Sequence, residues 1–403
     1  MKRYNIDFKY TPFFIEECIY SCLSTRWKRR DVSYFFAEYV LAHNYNVKVD
    51  KHLIALRIHN LLKEGKKKEF RKLVRIISYD MYEEINGRYV SFKPIWYQDR
   101  YDPCSKKVRK IGISEIKQQI YDYIAVESCK NMFMSKIYKY QCASLKDRGQ
   151  SYGVNAISKW IRTNPYKTKY AFKCDIKKYY PSVDRNRLKE LLRRDIKNDD
   201  ILYVVFTLID TYDKGLCIGS YLSQYLANYY LSYACHYIME NMYTIRKSRR
   251  SNEVARVNLV THTLFYMDDI IMFSSNKKYL SKASKMLEEY LNSFLKLQLK
   301  DKKELFLVSN RGIDMMGYVI YRDHTEIRRS IFLRMRKLFI KYKDKRKKMS
   351  VNDARAILSY KGYLDHSSSN KFNKKYKTSR TIKIAKGIVS EYDSRIYRGT
   401  TTV

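Results

Sequence analysis

The segment Leu264-Phe265-Tyr266-Met267-Asp268-Asp269-Ile270-Ile271-Met272-Phe273 constrains this chain more than any other. Two apolar, β-prone runs flank adjacent carboxylates, a pattern that predicts a strand, a tight turn carrying the acids and a second strand. Packing apolar arms around two anions is costly, and a bound cation is the usual compensation; hard oxygen ligands suit Mg²⁺. One Asp pair cannot hold two metal ions, so a further acid is needed. Ala171-Phe172-Lys173-Cys174-Asp175 is a second strand that ends in a carboxylate, and Asp175 and Asp268 are expected to meet across a sheet.

Lys and Arg number 81 against 41 Asp and Glu, a formal net charge of +40. Such an excess calls for a polyanionic partner. No run of about 18 apolar residues exists to span a bilayer, so nucleic acid is expected rather than a membrane. The first residues, Met1-Lys2-Arg3-Tyr4-Asn5-Ile6-Asp7, lack the apolar core of a signal peptide, which predicts a cytoplasmic protein. The eight cysteines include no Cys-x-x-Cys pair. Cys18 and Cys22 read as one face of an apolar helix, Cys235-His236 as packing, and all the cysteines as free thiols rather than a zinc site.

Tyr266-Met267-Asp268-Asp269 behind an apolar strand, together with Asp175 and an aromatic five positions later at Tyr180, resembles the third and first palm motifs of reverse transcriptases of the bacterial retroelement type. The resemblance implies an α+β right-hand polymerase fold: fingers, a palm with an antiparallel sheet backed by helices, and a helical thumb. It places an N-terminal extension of the fingers at 1–104, fingers at 105–171, the palm at 172–322, and the thumb with a basic tail at 323–403. It also implies two Mg²⁺ ions, with Mn²⁺ able to substitute. Asp175, the backbone carbonyl of Ile176 and Asp268 would be ligands, with Asp269 a supporting charge among the three catalytic acids.

Further motifs fall in the family's order. Lys107-Val108-Arg109-Lys110-Ile111 alternates as a strand, and Ile116 to Val126 follows at helical spacing. Gln141 to Ser151 resembles the second fingers motif, which makes Arg148 a candidate for binding the nucleotide triphosphate. Arg109 and Lys110 stand behind it, with an ordinary exposed strand face as the alternative. Tyr180 would sit under the sugar and exclude a 2′-hydroxyl; a buried core tyrosine is the bland alternative in a chain with 40 of them. Lys214 to Asn228 resembles the second palm motif, with Ile218, Gly219, Ser223 and Gln224 at the template. Many relatives carry Gln and Pro where this chain has Ile218 and Gln224. That departure is most similar to the enzymes of diversity-generating retroelements, which copy RNA with poor fidelity at adenine.

Thr244 to Asn258 reads as a polar basic loop, and Tyr279 to Phe294 as a helix. Leu297 to Lys303 resembles the fourth palm motif, with Lys303 the aligned general acid to pyrophosphate and Lys300 and Lys302 as neighbouring alternatives. Met316, Gly317 and Tyr318 look like a primer-grip turn. Met335, Leu338, Phe339 and Tyr342 form one apolar helix stripe, which leaves Arg334 and Lys341, and Lys345 and Lys347 beyond it, to face phosphates. Ser350 is a helix cap, Gly362 the next stop, and the basic tail beyond Lys371 is expected to order only with RNA or a partner. The expected partners are an RNA template, a DNA or RNA primer and deoxynucleoside triphosphates, with an accessory protein or a structured noncoding RNA possible. An antiviral defence role is the rival within the enzymes, since the large N-terminal extension suits it; an RNA-binding maturase without polymerase activity is the rival outside them.

Overall fold

The computed structural model describes residues 4, 6–43, 50–102, 107–247, 254–343 and 348–398. The chain divides into two units, one of Met1–Ile137 with Lys178–Leu231 and one of Tyr138–Lys177 with Ser232–Val403.

The first unit is built mainly of helices. Thr11 caps the helix Pro12–Leu23 by accepting the Phe14 N–H at 3.1 Å, and proline opens the first turn, where its missing N–H is harmless. Ile15, Cys18, Ile19 and Cys22 recur at helical spacing and are buried. The cysteine pair is therefore one face of a helix, and burial pushes both thiols up, Cys22 to about 12. This helix packs on Arg71–Asn86 and Ile116–Ser128. Strands β1 (Trp96–Asp102) and β2 (Lys107–Ile113) form a largely exposed antiparallel hairpin with Asp102 opposite Lys107.

The second unit holds a five-stranded sheet. Its strands are β3 (Gln141–Cys142), β4 (Tyr170–Asp175), β7 (His262–Tyr266), β8 (Asp269–Ser274) and β9 (Glu304–Leu307), in the order β3-β7-β8-β4-β9. All pairings are antiparallel except the short edge strand β3, which runs parallel to β7. Ala171, Leu264, Ile271 and Phe273 point into one core with Ile157 and Trp160 of the helix Gln150–Thr163. Lys277–Ser293 is the helix expected from Tyr279 onward, and it packs on β4 and β8. Strands β10 (Ile313–Met315), β11 (Tyr318–Ile320) and β12 (Thr325–Ile327) make a separate antiparallel sheet. Helices Arg329–Lys341, Val351–Asp365, Asn370–Tyr376 and Thr378–Arg398 follow, around a core that includes Met335, Phe339, Ile357 and Phe372.

Three local expectations are corrected. The basic segment after Tyr243 is a hairpin of β5 (Tyr243–Lys247) and β6 (Val254–Asn258), not a loop. Its ladder is reinforced across the strands, with the Arg256 guanidinium 3.7 Å from the Tyr243 ring centroid; Arg249 and Arg250 lie outside the described residues. Gly362 does not stop its helix, which runs on to Asp365. Burial of Leu364 beyond it outweighs the roughly 1 kcal/mol that a helical glycine costs. The basic tail forms two helices, because Phe372, Tyr376 and Ala385 are apolar at positions that face the helical core.

Candidate active site

The acids gather at one end of the five-stranded sheet. Tyr266 pairs with Asp269, so Met267 and Asp268 form a two-residue turn, and Met267 takes the left-handed conformation, φ 52°, that such a turn demands. β4 brings in the third acid: Asp175 lies directly opposite Asp269. Asp268 is reached differently, since its carbonyl accepts the Ile176 N–H at 3.1 Å. The cross-sheet partner of Asp175 is thus Asp269, one residue beyond the expected Asp268.

This arrangement stores charge. Asp269 is largely withdrawn from water, and its carboxyl is pushed up to about 6, chiefly by burial; Asp175 and Asp268 raise it further while Lys173 pulls it down. Asp175 Oδ1 is sealed from solvent and lacks a well-directed hydrogen bond; the Lys300 ammonium lies against it. The backbone fixes that lysine, because the Lys300 N–H donates to the Asp175 carbonyl at 2.8 Å and Ile176 bridges to Leu299. Lys303 pairs instead with Glu288 at 2.5 Å, and Lys302 with Glu304 at 3.3 Å. Of the three candidate lysines, Lys300 is the one that touches the acids.

Among the described residues no group of three or more His, Cys, Asp or Glu side chains is placed to hold a metal ion by itself. An open set of acids still fits a hard divalent ion. Mg²⁺ ordinarily takes one or two carboxylates and completes its shell with water and substrate phosphates. The sealed Asp175 oxygen, met by a lysine, is an anionic position where a cation already stands.

The loop after β3 carries Arg148. Ala143, Ser144 and Asp147 all have positive φ, 78°, 58° and 61°, each costing about 1–3 kcal/mol. Its bonds hold it: the Ala143 N–H donates to the Arg148 carbonyl at 2.8 Å, and the Arg148 guanidinium to the Tyr138 carbonyl at 3.3 Å. The next helix reaches the Met316-Gly317 turn, whose φ values of 55° and 81° show a tight hairpin. The Gln150 amide donates to the Met316 carbonyl, and a Cβ on Gly153 would lie 2.5 Å from Met316 Sδ. Gln150 and Gly153 went unrecognised in the sequence; a glycine inside a helical pattern was the available signal. Tyr318 is buried and donates to the Gly362 carbonyl at 3.2 Å.

Within the first unit, Tyr179 is the buried tyrosine and donates to the Ala227 carbonyl, whereas Tyr180 is half-buried. Gly215, φ 57°, packs where a Cβ would meet the Tyr180 carbonyl oxygen at 2.3 Å. Gly219, φ 121°, lets the chain approach its own β2: a Cβ there would fall 2.3 Å from the Gly112 oxygen, and the Gly112 N–H donates to the Ile218 carbonyl at 2.8 Å. Ser223 is fully buried, and its hydroxyl accepts the Cys217 N–H at 3.2 Å. The Asp122 carboxylate accepts the Tyr221 N–H at 2.9 Å and so caps the helix Tyr221–Asn241. Gln224 is half-buried at its first turn, its carbonyl accepting the Asn228 side chain at 3.0 Å. Lys110 pairs with Asp213 at 2.9 Å, and Arg109 faces Asp102 at 3.6 Å.

In the second unit's terminal helices, Arg334 donates to the Ser330 carbonyl at 3.2 Å and Lys341 pairs with Asp353 at 2.8 Å. Ser350 caps as expected, accepting the Asp353 N–H at 3.1 Å. Lys345 and Lys347 lie outside the described residues.

An antiparallel sheet with three aspartates at one end and helices behind it is the palm of a nucleic-acid polymerase. The family model described as reverse transcriptase (RNA-dependent DNA polymerase) matches residues 99–320, more than half of the sequence, and the chain belongs to that family. It is an RNA-directed DNA polymerase, a nucleotidyltransferase that takes an RNA template, and enzymes of this family use divalent metal ions. No curated protein matches the chain. Among solved structures it is similar to apo telomerase from Candida tropicalis truncated from its C-terminal domain, at 15% identity over 72% of each chain with a TM-score of 0.42. It is also similar to Candida tropicalis telomerase in complex with a TWJ fragment of telomeric RNA, at 12% identity over 90% of this chain and 69% of that one, TM-score 0.44. No helix among the described residues is long and apolar enough to cross a membrane.

Proposed function

We propose that the chain extends a DNA or RNA primer with deoxynucleotides on an RNA template, using Mg²⁺ held by Asp175 and Asp268 with the Ile176 carbonyl and with Asp269 in support. The observation that carries this reading is the convergence of the three acids at one sheet end with Lys300 against Asp175. Divalent ions there would lower the pKa of the attacking 3′-hydroxyl and neutralise the leaving pyrophosphate. The protein's own part is to hold the acids rigid: each sits at a strand end or in a two-residue turn whose backbone is bonded to its neighbour. Lys300 keeps Asp175 charge-compensated when no substrate is bound. Arg148, with Arg109 and Lys110, serves the triphosphate, Lys303 protonates pyrophosphate, and Tyr180 excludes the 2′-hydroxyl; its half-buried ring beside a buried Tyr179 supports that role over a core one. Met316, Gly317 and Tyr318 grip the primer end, and Arg334 and Lys341 face phosphates from a thumb that begins near residue 323.

Within the family we assign the chain to diversity-generating retroelements, on Ile218 and Gln224. The Ile218 backbone is committed to Gly112, and its side chain offers the template shape without a polar partner. A defence role finds support in the helical N-terminal region, which lies outside the matched residues. Sequencing of cDNA made on one RNA template by wild type and Ile218→Gln tests the assignment. Misincorporation opposite template adenine should fall in the variant, by up to about tenfold for the loss or gain of one modest hydrogen bond. Identical error spectra from two active proteins would reduce Ile218 to a packing residue.

A further inference from the structure

A cavity of about 700 Å³ opens between the β10-β11-β12 sheet and the helices that follow it, away from the three aspartates in sequence and wholly within the second unit. One wall is aromatic: Phe332 meets Phe372 edge to face at 5.3 Å, and Phe372 meets Tyr376 at 4.6 Å. Arg336 pins that wall by donating to the Tyr376 hydroxyl at 3.3 Å. Arg329, Lys371 and Lys375 stand exposed around the opening with Arg336. Glu326 is the one carboxylate in the lining, and it faces His324 at 3.5 Å. No carboxylate pairs with Arg329 or Lys371 among the described residues. Ser368 stitches the floor, its N–H donating to the Thr325 carbonyl at 2.7 Å.

Four cations around an aromatic wall select a ligand with a flat face and an anionic edge. Nucleotides have that combination, and the volume suits one of them, since ligand pockets of roughly 300–1,000 Å³ hold small molecules. The recess opens to solvent but is too small to take a duplex, whereas an unpaired base can be splayed out and stacked on an aromatic side chain. We propose that this cavity binds one unpaired nucleotide of single-stranded RNA, its base against Phe332 and Phe372 and its phosphate among Arg329, Arg336 and Lys371. The inference rests on RNA being the polymer this enzyme handles, not on the roles assigned to the acids.

The test uses the full chain and a short single-stranded oligoribonucleotide carrying one 4-thiouridine, cross-linked by long-wave light and mapped by mass spectrometry. Cross-links are expected on the peptides holding Phe332, Phe372 or Tyr376. They should drop about tenfold in the double variant Phe332→Leu, Lys371→Gln, which keeps apolar volume but loses a stacking face and a charge. An unchanged melting temperature shows that the variant is folded. A blunt duplex carrying the same nucleotide should not label the cavity. The proposal fails if these peptides stay unlabelled, if duplex labels them equally, or if the double variant changes nothing. Labelling by free 4-thiouridine monophosphate but not by the oligonucleotide would also overturn it, by making this a mononucleotide site. Asp175→Asn separates the two readings: it should keep the cavity cross-link while losing primer extension.

Discussion

Asp175→Asn removes a charge while keeping the shape of the side chain, and the structure sizes its two consequences separately. In catalysis, the proposed role of Asp175 means that one preorganised ligand would be lost from a site where charge builds on the reacting phosphate. Losses of this kind cost about 3–4 kcal/mol, or roughly 10²–10³-fold in rate. In stability the effect should be small and of either sign. The ion pair with Lys300 is partly exposed, 36% and 28% for the two side chains, and pairs of that type contribute under about 1 kcal/mol. Against this loss stands relief of repulsion, since Asp175 is one of the charges that raise the buried Asp269 carboxyl. The variant should therefore be nearly inactive and as stable as wild type, or slightly more so. RNA affinity should hold or rise, because Lys300 is released toward phosphate. Primer extension on an RNA template, urea unfolding and filter binding measure the three quantities. Extension within about threefold of wild type would refute the assignment of Asp175 as a ligand, being under 1 kcal/mol. A stability loss above about 2 kcal/mol would mean that the acids serve the fold instead.

Tyr180→Ala should admit ribonucleotides into the product, read by alkaline cleavage of the cDNA; unchanged sugar discrimination in an active variant would place the gate elsewhere. Gly219→Ala should destabilise by about 2–5 kcal/mol, combining strain at φ 121° with a Cβ 2.3 Å from the Gly112 oxygen. Urea unfolding midpoints equal to those of wild type would show that the approach to β2 is soft. Asp122 supplies a pH prediction. Burial pushes its carboxyl up to about 7, so the folded chain holds the proton more tightly than the unfolded one. The stability it contributes is full below its unfolded value near 4 and is lost as pH rises through about 7. Unfolding free energy should fall across that window, and Asp122→Asn should remove this part of the slope; parallel curves for the two proteins would contradict it.

The strand, turn and strand around Asp268 are readable because continuous apolar, β-prone runs on either side of a polar pair are local signals, and β7 and β8 are buried at consecutive positions to match. Which acid faces Asp175 was not readable. A shift of one residue in where the turn begins exchanges Asp268 for Asp269, and residues far along the chain settle the register. The same reason hides Lys300. Lys300, Lys302 and Lys303 are equivalent as charges, and the backbone bond from the Lys300 N–H to the Asp175 carbonyl selects one of them. Gly112 and Gly219 make the point for shape. Each glycine announces that space or an unusual φ is needed, but neither says what fills the space: at Gly219 it is the Gly112 carbonyl, and at Gly112 it is Cys217 Sγ, 2.3 Å from where a Cβ would stand and on the same loop as Gly219. Gly219 is thereby committed to holding β2, and any contact it makes with template uses backbone already fixed from within. That coupling gives the loop its stiffness: Ser223, Gly112 and Asp122 each bond a different backbone group between Cys217 and Tyr221. With the Ile218 carbonyl bonded to the Gly112 N–H and the backbone bonded on either side of it, Ile218→Gln should change the chemistry displayed from this loop without moving its backbone, which is why the variant suits the proposed fidelity test.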